Sequence, residues 1–190
     1  GHFRHNAFFI GGNVREAVQQ GRADVIPIFL FEIEDLFTSG AMPIDVALLQ
    51  CTPPDDYGFM SLGTGIDISL TAAKCARHLI VQVNDQSPRT LGDAFLHVSK
   101  ADSIVEASRP LPEFQKPEVT EVHRTIARHG ANLSPDEATL QMGVGGTPDA
   151  VLECLSDHKD LGTHTEMFSD GVIDLLRRRH RPDRKGRGQQ

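Results

Sequence analysis

Two stretches of this 190-residue sequence combine residue types that can do chemistry. Residues 143–149 read G-V-G-G-T-P-D, and residues 163–171 read T-H-T-E-M-F-S-D-G. In the first, Gly143, Gly145 and Gly146 permit positive φ and a close approach of backbone to ligand. Thr147 is the expected N-cap of a helix, Pro148 suits its first position, and Asp149 favours the positive end of its dipole. Such a loop aims several N–H groups at one point, where they can hold a phosphate or stabilise an oxyanion. It lacks the third glycine of the dinucleotide fingerprint G-x-G-x-x-G and the Gly-Lys-Ser/Thr of a phosphate-binding Walker loop. On these residues alone a structural tight turn, an anion site and a dinucleotide site all stay open.

The second stretch places Glu166 at the end of an expected strand, where α/β folds put reactive groups. A carboxylate there can be a base, a metal ligand or a nucleophile, or simply a solvated charge. Strand alternation points His164 the same way as Glu166. No wider cluster with ligand spacing accompanies them, and no metal site is expected. Other polar residues carry weaker signals. His2 and His5 form a lone pair in H-F-R-H, His123 and His129 fall on different helix faces, and Asp55, Asp56 and Tyr57 lie in a long loop.

The elements that must position these groups follow from apolar periodicity. Strands are expected at 7–10, 24–29, 44–51, 78–84, 94–98 and 103–107. Between them fall helices at 12–21, 31–40 (Ile33, Leu36 and Phe37 inward) and 66–77, and a loop over 52–65. Pro27 marks 24–29 as an edge or short strand, while the apolar run 44–51 reads as a strand buried on both faces. The alternation predicts parallel strands with covering helices. S-R-P-L-P-E-F-Q-K-P-E (108–118) carries three prolines and reads as a linker. Beyond it come an amphipathic helix over 119–130 with Val119, Val122 and Ile126 on one face and Gly130 as its stop, and a strand over 138–142. The glycine loop, a helix through 151–155, a strand over 161–167 and a helix from an N-cap at Ser169 complete the pattern.

Composition narrows the class. Hydrophobic residues make up 39% and charged residues 24%, as in a globular protein. The net charge of −7 divides unevenly. Residues 177–190 hold seven Lys/Arg and one Asp, and the acidic remainder offers no nucleic-acid footprint. No apolar run approaches the ~20 residues that span a bilayer. Three scattered cysteines, Cys51, Cys75 and Cys154, read as reduced thiols in a cytoplasmic protein. The opening G-H-F-R-H-N-A-F-F-I has no Met and no signal-peptide character, so a piece of a longer gene product is expected.

Five stretches carry a resemblance. H-F-R-H-N-A-F-F-I-G-G-N-V-R-E-A-V, P-P-D-D-Y-G-F-M-S-L-G, P-R-T-L-G-D-A-F-L-H-V-S, G-V-G-G-T-P-D-A-V and H-T-E-M-F-S-D-G-V-I-D-L run in order from about residue 2 to 175. Together they resemble the acetyl-CoA hydrolase/transferase family, which includes 4-hydroxybutyrate and acetate CoA-transferases. Ser87 stands where the family pattern N-x-x-M-P-R-T has Met, and the resemblance ends near Leu175. It implies an α/β fold of two related CoA-transferase-type domains, the first nearly complete and the second only its N-terminal part. The implied division is 1–107 (the C-terminal portion of the first domain), linker 108–118, 119–176 (the start of the second) and a basic, disordered tail over 177–190.

The resemblance implies that Glu166 is the covalent nucleophile of an acyl-CoA:carboxylate CoA-transferase. It also implies that Gly143, Val144, Gly145, Gly146 and Thr147 contribute to binding coenzyme A. Acyl-CoA and small carboxylic acids would be the co-substrates, with no tightly bound cofactor, no nucleic acid, no membrane, and a homodimer in the full-length protein. An acyl-CoA hydrolase, an inactive truncated fragment and a nucleotide-binding module are the competing readings.

Overall fold

A computed structural model of the chain describes residues 3–113, 115 and 118–179. It separates into two compact units, Gly1–Pro112 and Glu113–Gln190. Helices alternate with mostly parallel strands in both, so the class is α/β as expected.

In the first unit β1 (His5–Ala7) pairs in parallel with β2 (Ala23–Val25) across α1 (Gly12–Gln19). β1 lies ahead of the strand expected at 7–10, sharing only Ala7 with it, and β2 is shorter than expected, ending before Pro27, which has no N–H for a ladder. α2 (Ile33–Thr38) follows a 3-10 turn and buries Ile33 and Phe37. The ring of Phe37 meets Phe8 edge to face, with centroids 5.9 Å apart.

The central sheet is formed by β3 (Val46–Cys51), β5 (His78–Val83) and β7 (Ser103–Glu106), parallel and in the order β3-β5-β7. α3 (Ser69–Cys75) makes the crossover between β3 and β5. Ala47, Cys51, Leu79 and Val81 face the core, packed against Met60, Leu62 and Leu96. The expectation of a strand buried on both faces does not hold for β3. Residue alternation sends Leu48 to the opposite face, where it is 74% exposed.

A second departure lies in the stretch expected to be a loop over 52–65. It contains β4 (Phe59–Ser61), which pairs antiparallel with β6 (Phe95–His97). These two strands therefore leave the parallel pattern. Met60 and Ser61 on β4 are fully buried. The Ser61 hydroxyl earns that place by accepting hydrogen bonds from the N–H groups of Gly63 and Thr90.

The carboxyl end of the parallel sheet is held by Asn84, which is also fully buried. Its side chain donates to the Arg109 carbonyl at 2.8 Å and accepts from the N–H groups of Gln86 and Arg109, each at 3.1 Å. Arg109, inside the proline-rich stretch, is thus tied back to the first unit.

The second unit contains α4 (Glu121–Leu133), β8 (Thr139–Leu140), α5 (Gly146–Cys154), β9 (Gly162–Thr163) and α6 (Asp170–Arg179). β8 and β9 pair in parallel, Thr139 opposite Gly162 and Leu140 opposite Thr163. α4 runs through Gly130 and ends at Leu133. Its buried residues are Ala127 and Ala131, while Val122 and Ile126 are 67% and 49% exposed. Small residues let α4 approach α5 closely, and a Cβ at Gly130 would sit 3.7 Å from Val151. Ser169 precedes α6, but its buried hydroxyl has no hydrogen-bond partner, so it does not cap through its side chain. The expected basic tail begins inside α6, which continues to Arg179, and residues 180–190 lie outside the described residues. No helix among the described residues is long and apolar enough to cross a membrane.

Candidate active site

The glycine loop joins β8 to α5. Its turning point is Gly145, at φ +126° and ψ −179°, a conformation essentially reserved for glycine. Gly145 is the N-cap of α5, correcting the expectation that Thr147 plays that part. Thr147 and Pro148 occupy the second and third helical positions. Pro148 still costs no hydrogen bond there, because the first N–H groups of a helix have no partner within it. Asp149 lies in the first turn, 6% exposed, and its N–H donates to the Gly145 carbonyl at 3.1 Å.

Gly146 is needed for a different reason. A Cβ there would fall 2.5 Å from Cε1 and Nδ1 of His123. That ring is held by a capping box at the start of α4. The Thr120 N–H donates to His123 Nδ1 at 3.2 Å, and the His123 N–H donates to Thr120 Oγ1 at 3.4 Å. The spacing T-x-x-H is the capping-box spacing with His in place of Glu or Gln. Sequence reasoning compared His123 only with His129 and passed over this signal.

The strand expected over 161–167 is only Gly162–Thr163, because pairing with the two-residue β8 ends there, so Glu166 lies three residues past β9 rather than at a strand end. The His164 N–H extends the ladder by donating to the Leu140 carbonyl at 3.0 Å. Thr165 then turns its hydroxyl to Met142. Its Oγ1 accepts from the Met142 N–H at 3.0 Å and lies 2.9 Å from the Met142 carbonyl and 3.0 Å from that of Met167. The residue before the glycine loop is therefore bonded to the residue before the glutamate. Glu166 is exposed and lines a surface depression with Gln141, His164 and Thr165. Gly143, Val144, Gly145, Gly146 and Thr147 follow Gln141 in the chain but are not among its lining residues. Among the described residues no group of three or more His, Cys, Asp or Glu could hold a metal ion.

Thr165 thus ties the main chain just before the glycine loop to the segment, past the end of β9, that carries the exposed Glu166 carboxylate. Comparison with known proteins gives the chain a family. Residues 1–112 match the family described as acetyl-CoA hydrolase/transferase N-terminal domain, and the chain belongs to it. Over 176 residues the chain is 51% identical to the 4-hydroxybutyrate coenzyme A transferase of Clostridium kluyveri, covering 93% of this chain and 41% of that protein. It is 49% identical to the succinyl-CoA:acetate/propanoyl-CoA:succinate CoA transferase of Fasciola hepatica, covering 93% and 37%. Among solved structures, the 4-hydroxybutyrate CoA-transferase of Porphyromonas gingivalis superposes with a TM-score of 0.78 at 36% identity, over 92% of this chain and 45% of that one. RipA from Yersinia pestis gives a TM-score of 0.84 at 34% identity, over 92% and 42%. The chain spans about two-fifths of the length of the curated relatives it matches.

Proposed function

We propose that the chain carries the nucleophile of an acyl-CoA:carboxylate CoA-transferase of the 4-hydroxybutyrate/acetate type, and that Glu166 is that nucleophile. The observation that supports this most directly is the Thr165–Met142 bonding, which brings the segment bearing Glu166, just past β9, beside the start of the glycine loop. The Glu166 carboxylate attacks the thioester carbonyl of an acyl-CoA. A C–O bond forms and the C–S bond breaks, giving an acyl-glutamyl anhydride and CoA thiolate. The thiolate attacks the glutamyl carbonyl, forming a glutamyl-CoA thioester and releasing the first acid as its carboxylate. A second carboxylate reverses the two steps, leaves as acyl-CoA and restores Glu166. Covalent catalysis divides one difficult exchange into easier ones. Each step passes through an oxyanion, and the N–H groups of Gly143–Thr147 are the donors suited to hold it and the CoA thioester.

On this reading acyl-CoA and small carboxylic acids are the co-substrates, no tightly bound cofactor is needed, and the full-length protein works as a cytoplasmic homodimer. Glu166 is exposed, which favours hydrolysis as a second reading whenever water reaches the thioester before an acid does. Incubation of the full-length protein with acetyl-CoA followed by intact-mass and peptide analysis tests the proposal. An adduct of CoA less one water is expected on the peptide holding Glu166, and none in Glu166→Gln. An unmodified wild-type chain, or an adduct that persists in Glu166→Gln, overturns it. Release of free CoA without an acceptor acid would mark the hydrolase.

A further inference from the structure

We propose that Thr165 is a positioning residue for Glu166, an inference that rests on the reading of Glu166 as nucleophile. Thr165 is half-buried, next to the exposed glutamate in sequence, and one hydroxyl group makes all the relevant bonds. As an acceptor, Oγ1 takes the Met142 N–H. As a donor, it serves the carbonyl of Met142 or of Met167. The Met142 bonds fix the start of the glycine loop against the segment just past β9. The Met167 bond spans Glu166 itself, from the residue before it to the residue after it. A single hydroxyl therefore sets both the local backbone at Glu166 and its distance from the loop.

Main-chain pairing cannot replace this link. β8 and β9 are each two residues long, and the last ladder bond runs from His164 to Leu140. Beyond it, at the two segments that matter, Thr165 supplies the cross-link from a side chain. Misplacement of a reacting group by about 1 Å costs on the order of 100-fold in rate, so loss of the hydroxyl should act on the chemical step more than on binding.

The test uses the full-length protein in three forms, wild type, Thr165→Val and Thr165→Ser, with the rate of adduct formation followed at several acetyl-CoA concentrations. Thr165→Val is expected to slow the limiting rate by at least about 10-fold while the half-saturating concentration moves less than about 2-fold. Thr165→Ser keeps the hydroxyl and is expected to recover to within about 3-fold of wild type. Circular dichroism confirms the fold of each variant, and Thr165→Ala is read in place of Thr165→Val if the latter unfolds. A hydroxyl-free variant as fast as wild type overturns the inference and leaves the nucleophile standing. So does a Thr165→Ser chain as slow as Thr165→Val, because the methyl group would then be what matters. A wild-type chain that forms no adduct overturns both.

Discussion

The imidazole of His123 lies against the α-carbon of Gly146 so closely that an added methyl group would fall 2.5 Å from two ring atoms. The start of α4 and the start of α5 are thus fitted to each other through one glycine and one histidine. The ring cannot swing away freely, because its Nδ1 accepts the Thr120 N–H.

Gly146→Ala should therefore destabilise the second unit by about 1–3 kcal/mol, the usual cost of overpacking. His123→Ala removes the obstacle, so the double variant should recover part of that loss, with a coupling of at least about 0.5 kcal/mol. Gly145→Ala is the contrasting case. Nothing lies within 4 Å of a Cβ at that position, but φ is +126°. Its cost, about 1–3 kcal/mol, is in the backbone itself and His123→Ala should not relieve it. Urea unfolding of six chains (wild type, the three single variants and the two doubles with His123→Ala) separates the two causes, and additive effects at Gly146 and His123 would refute the first.

Much of this loop was legible in advance, for a physical reason. Three glycines before T-P-D can only mark a special backbone next to a helix start, and the structure puts a glycine-only conformation there. The cap moved from Thr147 to Gly145 because a sequence shows which residues can cap, not which one the chain reaches first. The buried side of α4 was not legible for a similar reason. Val122 and Ile126 are the larger apolar residues, but Ala127 and Ala131 are the ones small enough for close packing on α5. Likewise Gly130 stops nothing, since its neighbours keep the helix bonded through it. β4 was hidden by its length. The four residues between Gly58 and Gly63 give no period to detect, and only pairing with β6, more than thirty residues on, makes Phe59–Ser61 a strand. Thr165 left a fainter trace. Alternation on the strand turns it away from His164 and Glu166, but nothing in H-T-E-M announces that its partner is the main chain at Met142.

The loop before β4 has its own pH-dependent anchor. Asp55 accepts the N–H of Phe59 at 2.8 Å and that of Tyr57 at 3.0 Å, and pairs with Arg89 at 2.6 Å. The Phe59 N–H bond leads in holding the Asp55 carboxyl below the ordinary carboxylate range, with Tyr57 and Arg89 adding to it against partial burial. The folded chain thus keeps Asp55 ionised at pH values where the unfolded chain has begun to protonate it. The resulting stabilisation is complete above the unfolded value, about 3.9, and is lost as pH falls through the lower folded value. Asp55→Asn should unfold in acid with a shallower dependence on pH than wild type. Urea midpoints measured from about pH 6 down to pH 3 give the comparison, and parallel curves would show that Asp55 contributes nothing to the acid limb.

Cys51 makes the opposite prediction at the alkaline end. It closes β3 at the centre of the first unit's core, with no exposed surface. Burial disfavours the thiolate and pushes its pKa from 9.0 up to about 11. Because the thiolate is the reactive form, Cys51 should resist a disulfide reagent at about pH 8 in the native chain, while the half-buried Cys75 and Cys154 react. All three should react once the chain is unfolded. The same shift couples to stability. Below about 9 the thiol is protonated in both states and costs nothing. Between about 9 and about 11 the unfolded chain releases the proton that the folded core retains, so stability should fall by up to about 1.4 kcal/mol per pH unit. Cys51→Ala removes that slope and leaves the slopes of other groups in place. If native Cys51 is labelled as fast as Cys75, the first unit opens far more readily than its packed core implies, and the alkaline slope should then vanish with it.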